Sequence, residues 1–115
     1  VEPMDDRIRG EVIYIDHFGN VITSIGRLVW DGGLLHLDPA FGEATPLVLN
    51  AGRVEVYAGG HNLGPVRRTY GECAPGEFLA LVGSEGMLEV AVNQGHGARQ
   101  LGLGIGDVVE VVLHD

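Results

Sequence analysis

The sequence has no lysine, one cysteine and no long apolar run, and its seven basic residues, all arginine, face sixteen acidic ones. Each shortage removes a class of function. The lone Cys73 has no partner for an internal disulfide. A formal net charge of −9 repels phosphate backbones and anionic headgroups, which argues against a nucleic-acid groove or a membrane patch. No stretch approaches the roughly 20 apolar residues that a spanning helix needs, and no basic leader with a cleavage site opens the chain. A cytoplasmic protein is the expectation. The chain begins Val1-Glu2-Pro3 rather than with methionine, which suggests a processed or excised piece whose missing part carries some of the chemistry.

What the sequence does have is 115 residues at 45% hydrophobic content, punctuated by 19 glycines. A chain of this size buries roughly two thirds of its unfolded surface, enough for one self-sufficient core. Short runs rich in valine, isoleucine and leucine between glycines and prolines predict strands at Ile8 to Ile15, Val21 to Ile25, Leu34 to Leu37, Arg53 to Ala58, Phe78 to Val82, Met87 to Val92 and Val108 to Leu113. Polar and apolar side chains alternate strictly in Arg53-Val54-Glu55-Val56-Tyr57 and Leu88-Glu89-Val90-Ala91-Val92, the pattern of half-buried strands. Gly97 to Leu101 reads as a single short helix stopped by Gly102. The segment from Asp38 to Asn50 reads as a loop with a short strand at Leu47 to Leu49. No repeat or linker divides the chain, so residues 1–115 form one all-β domain, a small antiparallel β-barrel or sandwich of about seven strands with one short helix.

Several chemistries fail on spacing. The histidines at 17, 36, 61, 96 and 114 include no i, i+4 pair, and one cysteine completes no paired-ligand motif, so no metal site is expected. Gly83-Ser84-Glu85-Gly86 lies between two strands as a hairpin turn, not on the strand-to-helix elbow of a serine hydrolase. Gly95-His96-Gly97 lacks the third glycine of a dinucleotide fingerprint, whose place Gln100 takes, and keeps only the general capacity of a helix start to offer N–H groups.

Three segments taken together are more specific: Gly10-Glu11-Val12-Ile13-Tyr14-Ile15-Asp16-His17-Phe18-Gly19-Asn20-Val21-Ile22-Thr23-Ser24-Ile25, then Thr69-Tyr70, then Val82 to Gly95 with Gly83-Ser84-Glu85-Gly86 and Val92-Asn93 inside it. In that order they resemble the C-terminal domain of the S-adenosylmethionine hydroxide adenosyltransferase family, the SAM hydrolases, which is related to the fluorinase and chlorinase. The resemblance runs from about Arg9 to the end of the chain. It implies a β-rich C-terminal barrel of a two-domain enzyme whose N-terminal α/β domain is absent from this sequence. It implies as well a homotrimer, in which S-adenosylmethionine lies between the N-terminal domain of one subunit and the C-terminal domain of its neighbour. The groups that position the nucleophile belong mainly to the N-terminal domain, so no catalytic residue is expected here.

Carried over residue by residue, the resemblance implies a substrate-binding set of Asp16, Asn20, Tyr70, Ser84, Glu85, Val92 and Asn93. Asp16 would accept hydrogen bonds from the ammonium of the methionine part, as an anion suits a cation; its plainer role is to start the turn before Phe18-Gly19-Asn20. Asn20 would meet the adenine edge, where an amide both donates and accepts, or would simply sit in a left-handed turn. Tyr70 would lie on the adenine face, or be an ordinary strand-edge tyrosine. Ser84 and Glu85 fall where the family binds the methionine end, and Val92 and Asn93 would touch adenine through backbone groups. The halogenating relatives look to have arginine at the position of Glu85, whereas glutamate would repel a substrate carboxylate, which disfavours halogenation. Gly83 stands for the family's usual asparagine, and Ser24 for the second residue of its Thr-Asn pair.

The implied reaction is attack by water or hydroxide on ribose C5′ of S-adenosylmethionine, giving adenosine and L-methionine with no cofactor beyond the substrate itself. The sulfonium already leaves well, so the protein's work is to desolvate and align the nucleophile. Two alternatives use the same strands: a non-catalytic ligand-binding or oligomerising β-domain, and one half of a SAM-dependent halogenase. A nucleic-acid-binding barrel is disfavoured by the net charge of −9 and by having only three tyrosines, scattered along the chain.

Overall fold

The computed structural model describes residues 2–3, 7–38, 47–83 and 86–114, and all structural statements concern these. Eleven strands follow in chain order: β1 (Glu2–Pro3), β2 (Arg7–Ile15), β3 (Val21–Asp31), β4 (Leu34–Asp38), β5 (Leu47–Asn50), β6 (Val54–Ala58), β7 (His61–Asn62), β8 (Val66–Arg67), β9 (Phe78–Val82), β10 (Met87–Val92) and β11 (Val108–Leu113). One α-helix, α1 (Gly97–Leu101), precedes β11. The strands form one sheet in the order β7-β6-β11-β2-β3-β10-β9-β8, with β4 and β5 continuing from β3 and β1 pairing β2. That sheet curls into a half-barrel around its core.

Alternation explains the curl. In β6 the residues Val54, Val56 and Ala58 point inward and are buried, while Glu55 and Tyr57 stand between them on the other face. Ile8, Val12, Val21, Ile25, Leu35, Leu37, Leu88, Val90, Val109 and Val111 join them in one continuous apolar cluster.

β3 is the hub. Its start pairs with β2 and β10, Val21 lying opposite both Ile15 and Val90, and its end pairs with β4 from Arg27 to Asp31. The register slips between Met87 and Glu89 on one side and between Val12 and Tyr14 on the other. Beside these irregularities Thr23 is fully buried and donates its hydroxyl to the Leu88 carbonyl at 3.0 Å. Ser24 is buried too, and its Oγ accepts from the Glu11 N–H at 2.9 Å. A Cβ on Gly10 would stand 2.9 Å from that oxygen, so glycine there makes the close approach possible.

The all-β class and the helix at Gly97–Leu101 agree with the sequence, as do the bounds of β9, β10 and β11. Three differences have local causes. Arg53 closes a 3-10 turn over Ala51–Arg53, capped by Asn50 Oδ1 on the Gly52 N–H at 3.0 Å, and does not begin β6. β3 continues six residues past Ile25, through Gly26 at φ 138. β8 pairs with β9 in parallel, Val66 opposite Ala80, because residues 68–77 loop back and bring the chain in from the same end.

Candidate functional site

Asp16 follows the last residue of β2 and organises the turn into β3. Its Oδ1 accepts from the N–H groups of Phe18 and Asn20, both at 2.9 Å, and its Oδ2 accepts from Asn20 Nδ2 at 3.2 Å. The Asp16 N–H donates to the Asn20 carbonyl at 3.0 Å, and the Gly19 N–H donates to the Asp16 carbonyl at 3.0 Å. Gly19 holds φ 85, and Asn20 does not share the left-handed region. A carboxylate offers about four lone-pair sites. Three are taken within the turn, and the one left is on Oδ2.

The turn is fastened to α1. The Gly19 carbonyl accepts from the Ala98 N–H at 2.9 Å, and the His96 ring lies so close over Gly19 that a Cβ there would stand 2.4 Å from its Cγ. His96 Nδ1 caps the helix by accepting from the Arg99 N–H at 3.2 Å, while Gln100 Oε1 reaches back to the His96 N–H at 2.9 Å. The N–H groups of His96, Ala98 and Arg99 at the start of α1 are thereby spent inside the fold.

Asp16 lines a cavity of about 510 Å³ on the outer face of β2, β3 and β10, together with Tyr14, Ile22, Arg27, Met87 and Glu89. The register explains the grouping. Tyr14, Ile22 and Glu89 lie side by side across the three strands, and Met87 lies opposite Arg27 in the next row. Ile22 and Met87 give an apolar floor between two carboxylates and one guanidinium. A roomier groove of about 610 Å³ lies over β6 and β11 and holds none of the residues expected from the sequence. Its Arg7 and Glu110 are already paired, at 3.3 Å.

Val92 and Asn93 lie at the end of β10 nearest the Asp16 turn, since Val90 pairs with Val21 and the Gly19 carbonyl approaches the Ala91 backbone beside Gly97. Val92 is 2% exposed and its carbonyl accepts from the Gly95 N–H at 3.0 Å. Asn93 is occupied on three sides: its N–H donates to the Glu77 carbonyl at 3.0 Å, its carbonyl accepts from the Gly76 N–H at 2.7 Å, and Nδ2 donates to the Cys73 carbonyl at 2.8 Å. Tyr70 opens a 3-10 turn, Tyr70–Glu72, within this same loop, and so is not on a strand. Ser84 and Glu85 lie outside the described residues. Gly83 and Gly86 bracket them, and the Gly86 N–H donates to the Gly83 carbonyl at 2.9 Å, at the opposite end of β10. The cavity at Asp16 runs along β10 at Met87 and Glu89, between the Asp16 turn and Gly86.

A family model described as the SAM hydroxide adenosyltransferase C-terminal domain matches residues 10–110. The chain belongs to this family. It is similar to an (R)-S-adenosyl-L-methionine hydrolase of Thermus thermophilus, 42% identical over 82% of this chain and 28% of that protein. It is similar also to an enzyme of the same name from Salinispora tropica, 37% identical over 96% of this chain and 35% of that protein. Among solved structures, a conserved hypothetical protein from Thermus thermophilus aligns with TM-score 0.62 and 33% identity, over 95% of this chain and 36% of that one. An uncharacterised conserved protein from Thermotoga maritima aligns with TM-score 0.65 and 27% identity, over 96% and 37%. This SAM hydroxide adenosyltransferase C-terminal domain thus spans about a third of the length of the relatives it matches.

Sequence reasoning misses three residues at the domain's cavity or its rim. Phe18, 74% exposed, projects from the Asp16 turn with the His17 ring edge-on at 5.6 Å. Its signal is available, as a large aromatic at a turn tip has no packing reason to be there. Arg27 and Glu89 read as the polar partners of alternating strands, and only the register shows that they share a cavity with Asp16.

Proposed function

We propose that this chain is the substrate-gripping half of a SAM hydrolase, which converts S-adenosylmethionine and water to adenosine and L-methionine. The observation that carries the reading is the Asp16 cavity in a chain of this family. S-adenosylmethionine is cationic at its sulfonium and at its ammonium, and Asp16 and Glu89 flank an apolar floor suited to the methionine chain between them. A charge-assisted hydrogen bond from the ammonium to Asp16 Oδ2 would contribute about 1.5–3 kcal/mol. Phe18 and Asn20 share the turn with Asp16, and Val92 and Asn93 lie at the end of β10 nearest it, so the adenine would lie on that side of the turn, with Tyr70 on its face. Ser84 and Glu85 would flank the methionine end.

Water oxygen attacks C5′, the C5′–S bond breaks with its electron pair passing to sulfur, and the proton lost by water goes to solvent. The products are neutral at sulfur. The cationic charge that the acidic lining favours thus disappears as the reaction proceeds, which helps the products leave. In this reading the nucleophile is aligned by an N-terminal α/β domain of a neighbouring subunit in a cytoplasmic homotrimer; the relatives named for the activity are about three times as long, which supports the further domain.

The test is to incubate the gene product that contains this chain with S-adenosylmethionine in ¹⁸O-labelled water. Adenosine carrying one ¹⁸O at the 5′ position with unlabelled methionine is expected, and the 115-residue chain by itself should give no adenosine above the buffer rate. A 5′-halogenated nucleoside as the product, or no turnover by the whole gene product, would refute the proposal.

A further inference from the structure

Arg27 stands where β3 passes from β10 to β4, opposite Met87 on one side and Asp38 on the other. It is the arginine among the residues lining the Asp16 cavity, it is exposed, and no hydrogen bond or ion pair engages its guanidinium among the described residues. Asp38, opposite it on β4, forms no ion pair with it among the described residues. Its base, by contrast, is firmly held. The Leu28 N–H donates to the Gly86 carbonyl at 2.7 Å, and the Arg27 stem lies over Gly86, where a Cβ would stand 3.1 Å from Arg27 Cγ. Gly86, at φ 84, leaves room for that stem across the turn between β9 and β10.

A fixed base with a free guanidinium, facing a cavity with a carboxylate turn at its other side, suits a zwitterion. We propose that Arg27 receives the α-carboxylate of the substrate's methionine part, while Asp16 takes the ammonium. The inference rests on the reading that S-adenosylmethionine occupies this cavity. Here the cation comes from β3, and the planar fork of arginine pairs with a carboxylate through two parallel hydrogen bonds.

The experiment compares three ligands by calorimetry on the gene product containing this chain: S-adenosylmethionine, its decarboxylated analogue, and adenosine. Arg27→Gln should weaken S-adenosylmethionine binding by roughly ten- to a hundredfold and leave the other two within about twofold, because neither has a carboxylate to lose. Arg27→Lys, which keeps a cation without the fork, should fall between. Equal affinity of wild type and Arg27→Gln for S-adenosylmethionine, or an equal loss for the decarboxylated analogue, would overturn the role of Arg27 while leaving the functional reading intact. A wild type that binds neither S-adenosylmethionine nor adenosine overturns both. Because Arg27 is exposed, Arg27→Gln should melt within a degree or two of wild type; were it to unfold, the Arg27→Lys comparison alone would decide.

Discussion

Gly19→Ala tests whether the turn that carries Asp16 and Asn20 is seated on α1 in the way described. Two penalties combine. The backbone at φ 85 is unfavourable for an L-residue by about 1–2 kcal/mol. The new methyl would stand 2.4 Å from His96 Cγ and Nδ1, so the ring has to leave, and with it the helix cap on the Arg99 N–H, which contributes about 1 kcal/mol. Together they predict a loss of roughly 2–3 kcal/mol. Denaturant unfolding of the 115-residue chain measures it. The ring's share is isolated by the cycle with His96→Ala. Once the ring is gone the methyl no longer meets it, so the double variant should be more stable than the sum of the single losses by about 1 kcal/mol, well above the usual error of additivity. Strict additivity, or a Gly19→Ala loss under about half a kcal/mol, would show that His96 does not press on the turn and that α1 is not its support.

Two further outcomes follow from the fold. Glu55 accepts from Asn62 Nδ2 at 2.6 Å and pairs with His114 Nε2 at 2.8 Å, and Asn62, more than His114 and Tyr57, holds its carboxyl below its ordinary 4.5 despite some desolvation. A depressed folded-state value means that this stabilisation is complete above about pH 4.5 and is lost as the pH falls through the lowered value. Melting curves should therefore fall more steeply for wild type than for Glu55→Gln on acidification below pH 4.5, and coincident curves would detach the cluster from stability. Leu35, fully buried in β4 between the cross-strand partners Trp30 and Leu49, should cost about 2–5 kcal/mol on truncation to alanine, measured by denaturant unfolding; a loss below about 1 kcal/mol would mean that β4 is not part of the core.

Much of this fold is legible in the sequence because the strands are half-buried and alternate. Leu88-Glu89-Val90-Ala91-Val92 shows its inward face directly, and α1 shows its bounds through His96 at the start and Gly102, at φ 69, after the end. What the sequence hides is set between strands and not within them. The two-residue strands β7 and β8 are too short to have a period, and the parallel direction of β8 depends on a ten-residue return loop. The strand read from the sequence ends at Ile25, yet β3 continues through Gly26, because strand pairing outweighs the propensity of one residue. The same limit applies to the site. The Asp16 turn is local and can be read from Asp16-His17-Phe18-Gly19-Asn20, whereas the company of Arg27 and Glu89 depends on two register shifts that no single strand encodes.

The turn and ligand roles of Asp16, which the sequence sets against each other, are compatible in the structure. Both N–H groups of the turn use Oδ1, and Asn20 Nδ2 uses Oδ2, so the bonds that shape the turn also fix the direction of the remaining lone pair. A carboxylate held in this way has little rotational freedom to lose when an ammonium arrives, which is the sense in which a binding group is preorganised. It follows that asparagine at this position is a poor discriminator. Its amide has one acceptor oxygen; if that oxygen keeps Phe18 and Asn20, the NH₂ group points at Asn20 Nδ2, donor against donor, and the turn is strained at the moment the charge is removed. A weaker affinity of that variant would therefore count equally for either role. The ammonium's contribution has to be varied in the ligand: in the wild-type protein, where the turn is untouched, the ratio of affinities for substrate with and without its amino group measures that contact alone.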